Sequence, residues 1–192
     1  STIHEVREDA KCVIHLHTKA TIAVASVKGG LKPWSQYSLF SLPSLSYHSY
    51  EGLAVDDNER KQLQDDLGDT NHMLLPNHGG LTLGPTVGDA FMRFYDLERA
   101  CDIQMSLMQS GQEVIEIPEP IVKGIYDQAK IVHSGETGGQ KAWPAMLVVV
   151  RQLSETGKVV DSPDDWIGRV KSIRNAVKED VNGSVDVVER RM

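Results

Sequence analysis

The residues of this chain with the most chemical potential are three histidines. His15 and His17 stand two apart at the end of a short apolar run, Lys11-Cys12-Val13-Ile14-His15-Leu16. Side chains two apart on a strand project to the same side. Both imidazoles can therefore approach one ion at about 2.0–2.1 Å. The third, His78, lies in the turn Pro76-Asn77-His78-Gly79-Gly80, directly after a second apolar run from His72 to Leu75. Three histidine ligands without a fourth protein ligand leave a coordination position open, which marks a catalytic rather than a structural zinc. On spacing alone the plain alternative stays open. A chain with seven histidines will often place two at i and i+2 with no metal involved. His4, His48, His72 and His133 lack any such spacing and read as surface or hydrogen-bonded histidines.

Positioning these groups requires strands that end where the histidines begin. Lys11 to Leu16 is β-branched and apolar, a buried strand. After it the pattern turns helical, with Thr18 as N-cap, apolar residues from Ala20 to Val27, and Gly29 as the C′ residue. Pro33 to Tyr50 is rich in Ser, Pro and aromatics and predicts irregular chain with one short strand near Ser46–Tyr50. Asp56 and Glu59 open a helix that stops at Gly68. His72 to Leu75 and Leu81 to Leu83 read as strands. Thr86-Val87-Gly88-Asp89 then caps a long amphipathic helix, with apolar residues at 87, 90, 91, 94, 97, 101, 105 and 108, that ends at Gly111. A shorter helix spans Ile121 to about Val132, and Gly135 to Gly139 breaks the chain before Trp143-Pro144. Strands alternating with helices give an α/β class. Beyond residue 146 no period persists, although Asp164 to Val177 places Trp166, Ile167, Val170, Ile173 and Val177 on one helical face.

Composition narrows the function classes. The chain of 192 residues is 40% hydrophobic and 24% charged, enough apolar material for a core and too little continuous apolar sequence for a membrane helix. Its net charge is −7, all of it within residues 1–150, which disfavours nucleic acid as a partner. Cys12 and Cys101 are too few for a disulfide framework and read as buried thiols of a reducing, cytoplasmic compartment. The glycines at 79, 80, 84 and 88 lack the Gly-Lys-Ser/Thr ending of a phosphate-binding loop.

Several blocks together carry a family resemblance. They are Lys11-Cys12-Val13-Ile14-His15-Leu16-His17-Thr18, Ala23-Val24-Ala25-Ser26, Lys28-Gly29-Gly30-Leu31-Lys32-Pro33, Tyr47-His48-Ser49-Tyr50-Glu51-Gly52 and Asn77-His78-Gly79. Thr86-Val87 through Phe91, Leu97-Glu98-Arg99-Ala100-Cys101 with Gln104, and Ala142-Trp143-Pro144-Ala145 complete the set. In order and spacing, across roughly residues 1–146, they resemble the class II aldolase/adducin family. The resemblance implies a three-layer α/β/α domain around a mixed, largely antiparallel sheet, assembled as a homotetramer. It implies a divalent metal, normally zinc, on His15, His17 and His78. It also implies carbon–carbon lyase chemistry, aldol cleavage or decarboxylation of a small hydroxy-carbonyl or carboxylate substrate, in which the metal stabilises an enolate.

Two departures from the family pattern set a second expectation. The family's acid–base glutamate lies about 20 residues before its His-x-His pair, and its phosphate loop lies further upstream. Only 14 residues precede His15 here, so neither has a counterpart. Glu5, Glu8 and Asp9 are the nearest carboxylates and fall in a surface turn. The chain thus resembles an N-terminally truncated domain over 1–146, followed by an unmatched tail, 147–192. A non-catalytic, adducin-like assembly module is the alternative to a metal-dependent lyase. Glu98 reads as a charge at the edge of its helix's apolar stripe or at a subunit contact, and Tyr47, His48, Tyr50 and Glu51 as a polar aromatic cluster.

Overall fold

The computed structural model describes residues 2–49, 57–133 and 138–156. A four-stranded sheet forms its middle layer, in the order β1 (Cys12–Leu16), β4 (Gly79–Gly84), β3 (His72–Leu75) and β2 (Leu45–Tyr47). β1 and β3 both run antiparallel to β4, while β2 pairs parallel with β3. The sheet is therefore mixed and largely antiparallel, as expected. This arrangement brings the C-terminal ends of β1, β2 and β3 to the same end of the sheet.

Strand side chains alternate between two cores. Leu74 of β3 faces α1 (Lys19–Ala25) and α4 (Val87–Ser110), joining Ala20, Val24, Leu97, Ala100 and Cys101. Its neighbours Met73 and Leu75 face the other way. They meet Leu81, Leu83, Leu67 of α3 (Asp57–Leu67), and Ile3 and Ala10 of the N-terminal turns. Cys12 packs with Val87 and Ala90, and Ile14 and Trp143 lie against them. Helices thus cover both faces of the sheet. The N-terminal turns are held by Arg7, which donates to the carbonyls of Gly68 and Thr70, to Asn71, and to Asp9 in a two-pronged pair.

Most elements begin and end where the sequence places them. Thr86 caps α4 by accepting from the Asp89 backbone, and Gly111 ends it in the left-handed conformation. Along α4, Val87, Ala90, Phe94, Leu97 and Cys101 are buried, whereas Met108 is exposed. Gly68 follows α3 with a positive φ. The expected Asp56 cap lies outside the described residues, as do Tyr50, Glu51 and the helical spacing at 164–177.

Three local expectations differ from the structure. α1 ends at Ala25 with Ser26 as its C-cap, short of the expected Gly29 C′ position, and the Ser26 hydroxyl bonds back to the Ile22 carbonyl. Within the stretch expected to be irregular, Gln36–Ser41 forms α2. A reciprocal box between Ser35 and Ser38 caps it, and a 3₁₀ turn at Leu42–Ser44 leads into β2. Finally, α5 (Glu119–His133) is followed by α6 (Gly138–Thr156), which continues through Pro144 and past residue 146. Gly88 and Gly139 let α4 and α6 touch: a Cβ on Gly88 would lie 2.8 Å from Trp143 Cβ, and one on Gly139 2.5 Å from the Asp89 nitrogen. Trp143 also stacks on Phe91 at 5.2 Å between ring centroids.

Candidate metal centre

β1 delivers His15 at its next-to-last position and His17 immediately after its end. Antiparallel pairing with β4 places His15 opposite Leu81 and Leu16 opposite Gly80. The chain that precedes β4 must therefore turn beside the end of β1. That turn is Pro76 to His78. Asn77 holds a left-handed φ of 60°, the Asn77 N–H donates to Ser26 Oγ at 2.8 Å, and the His78 N–H closes the turn on the Leu75 carbonyl at 3.0 Å.

The result is that three imidazoles from two distant segments face one another. His15 Nε2 stands 2.9 Å from His17 Nε2 and 3.3 Å from His78 Nε2, and the three ring centroids are 4.7 to 4.8 Å apart. Ligand nitrogens about 2.0–2.1 Å from a tetrahedrally coordinated zinc sit about 3.3–3.4 Å from each other. The His15–His78 spacing matches such an ion, and the His15–His17 spacing is somewhat shorter. His15 and His78 are half-buried and His17 is exposed, so the cluster opens toward solvent.

Local hydrogen bonding prepares His15 for a cation other than the proton. Its Nδ1 lies 3.0 Å from the Gly80 carbonyl, which can only accept, so Nδ1 carries the hydrogen and Nε2 presents a lone pair. Burial, reinforced by the neighbouring His78 and His17, pushes the His15 pKa down to about 4, with the Gly80 bond opposing. Glycine at 79 is what allows the rings to approach. A Cβ there would lie 2.4 Å from the Leu16 carbonyl oxygen and 3.1 Å from His17 Cδ2.

The other candidates are placed elsewhere. Glu5 and Glu8 are exposed, and Asp9 is paired with Arg7, which holds its carboxyl below the usual range. His48 is buried and bonded to Asp66 at 2.7 Å, while His72 donates to the Ser44 carbonyl. Tyr47 accepts the Leu31 N–H at 2.8 Å and so ties β2 to the Gly29-Gly30 turn. Cys12 and Cys101 are both buried, and burial raises the Cys101 thiol well above the ordinary range. Among the described residues no carboxylate joins the three histidines.

Glu98 has more contact with the site's surroundings than its place on the helix stripe suggests. It is half-buried and accepts the hydroxyl of Thr18, the residue after His17; burial raises its carboxyl and the Thr18 bond opposes this. Nothing in the sequence signals that pairing, because the two residues are 80 positions apart.

Among the described residues, no helix is long and apolar enough to cross a membrane. A Pseudomonas aeruginosa protein described as aldolase class 2 is 50% identical over 149 residues, covering 77% of this chain and 58% of its own length. This chain thus spans a little over half the length of that relative. Rat alpha-adducin is 41% identical over 112 residues, 58% of this chain and 15% of the adducin. The crystal structure of an aldolase II superfamily protein from Pseudomonas syringae superimposes with a TM-score of 0.73 at 39% identity, covering 81% of this chain and 61% of that one. With the model of the Class II Aldolase and Adducin N-terminal domain matching residues 1–105, this chain belongs to the class II aldolase and adducin family.

Proposed function

We propose that this chain is part of a divalent-metal-dependent carbon–carbon lyase, with zinc held by His15, His17 and His78. The observation that carries the proposal is the convergence of three imidazoles whose candidate ligand atoms all lie within 4.8 Å of one another. The substrate class we assign is a small hydroxy-carbonyl or carboxylate compound, opened by aldol cleavage or decarboxylation. When bound, the metal supplies an electrophile that draws electron density from a substrate oxygen, as cleavage beside a carbonyl requires.

The Gly80 carbonyl fixes the His15 tautomer and ring orientation, which keeps its Nε2 unprotonated at neutral pH. Gly79 leaves room for the His17 ring. Exposure at His17 leaves an approach for a small ligand. We assign residues 1–146 to the family domain and 147–192, which begins within α6, to an unmatched C-terminal tail. We further assign the protein to the cytoplasm and expect it to assemble as a homo-oligomer, a tetramer by analogy with its family.

A second reading is supported by the same site. No carboxylate joins the histidines among the described residues, and general acid–base groups typically contribute 10²–10⁴-fold to rate. A cluster of histidines alone suits a non-catalytic, adducin-like assembly module in which a metal ties two segments together. Two measurements decide. Metal analysis of the purified chain should find one zinc per chain and its loss in His78→Ala; no metal in either protein would remove the lyase reading. Turnover on a panel of aldol and decarboxylation substrates, above a His15→Ala control, would remove the assembly reading.

A further inference from the structure

A carboxylate from another helix reaches the frame that holds the histidines. Glu98 Oε2 accepts the Thr18 hydroxyl, and Thr18 follows His17 directly. Thr18 Oγ1 also lies 2.7 Å from Thr21 Oγ1 and accepts the Thr21 N–H at 3.3 Å. Thr21 is fully buried and returns its own hydroxyl to the Thr18 carbonyl at 3.2 Å. Its methyl packs on Gly80, where a Cβ would lie only 3.1 Å away. Gly80 is the residue whose carbonyl holds His15. Both members of the His-x-His pair are therefore supported by groups that lead back to one carboxylate on α4.

We propose that Glu98 is a positioning residue for the metal centre, holding His17 through Thr18 and the His15–Gly80 bond through Thr21. The proposal rests on the metal-binding reading above. Its rival is a purely architectural bond that fastens α1 to α4. Such a bond would alter stability and leave the affinity and ligand field of the metal unchanged.

The test uses the full chain and its Glu98→Gln, Glu98→Ala and Thr18→Val variants. Each is titrated with Co²⁺, read by its visible absorption, and with Zn²⁺ in competition with a chromophoric chelator. Groups bonded directly to metal ligands are worth about 10–100-fold in affinity, and Glu98 and Thr18 act one contact further out, so a loss at the lower end, about 10-fold, is expected in Glu98→Ala and Thr18→Val, with a shifted Co²⁺ absorption band. A double variant carrying Glu98→Ala and Thr18→Val should bind no more weakly than the weaker of the two single ones, since both changes cut the same path. Glu98→Gln still offers an acceptor to Thr18 and should recover part of the loss. Folded Glu98→Ala that binds within about twofold of the unaltered chain would overturn the proposal. Should that variant not fold, Glu98→Gln and Thr18→Val both binding within about twofold would do the same. If the unaltered chain binds neither ion, the metal reading fails and takes this proposal with it. If it binds and the variants bind equally, only this proposal fails.

Discussion

Replacing Gly79 with alanine adds one methyl group and touches no candidate ligand atom, yet it should damage the proposed metal centre. The added Cβ would stand 2.4 Å from the Leu16 carbonyl oxygen, where ordinary contact begins near 3.4 Å, and 3.1 Å from His17 Cδ2. β4 and the end of β1 must therefore separate by about 1 Å, against a coordination tolerance of about 0.2 Å. The backbone at Gly79 is not in the left-handed region, so the effect is one of space and not of strain. Overpacking of this kind costs about 1–3 kcal/mol of stability. Displacing a ligand beyond tolerance should weaken zinc by at least the roughly 10–100-fold that follows from disturbing its supporting partners. Chelator competition at pH 7.5 measures the affinity, and a urea midpoint on the same sample measures the stability. An alanine variant that is destabilised as expected but binds zinc like the unaltered chain would refute the link between this glycine and the His17 position.

Two further outcomes follow from the geometry. With metal removed, His15 is held neutral in the fold at a pKa of about 4 against an ordinary 6.5; the native state binds fewer protons than the unfolded chain between those values. Stability from this group is fully present above about pH 6.5 and falls by about 3 kcal/mol as the pH drops to 4; urea midpoints of the chelator-treated chain and of His15→Gln should diverge across that window, and parallel slopes would contradict it. Gln104→Leu removes a buried side chain that donates to the Gly30 carbonyl at 2.8 Å and accepts from the Lys32 N–H at 2.7 Å. Two unpaired backbone groups should lower stability by roughly 2–4 kcal/mol in denaturant titration.

The exchanges between local signal and tertiary setting are visible at particular residues. Thr86 and Gly111 delimit α4 because a cap and a left-handed stop act on the backbone beside them. The serine box that starts α2 is just as local, but its surroundings, Pro33, Trp34 and four further serines by Ser49, read as loop chemistry. α6 carries a proline at its seventh position and is helical all the same. The two glycine contacts with α4 and the Trp143–Phe91 stack supply what the local sequence lacks.

By itself the sequence determined the α/β alternation, the two ends of α4, the buried thiols and the choice of the three candidate histidines. All of these depend on neighbours a few positions away, whose caps, periods and spacing survive in one dimension. Tertiary structure alone decided that His78 arrives 3.3 Å from His15 and that the Gly80 carbonyl sets the His15 tautomer. It alone brought Glu98 to Thr18 across 80 residues. Those contacts come from the β1–β4 register and the packing of α1 on α4, and no residue's own propensity encodes which distant partner it will meet.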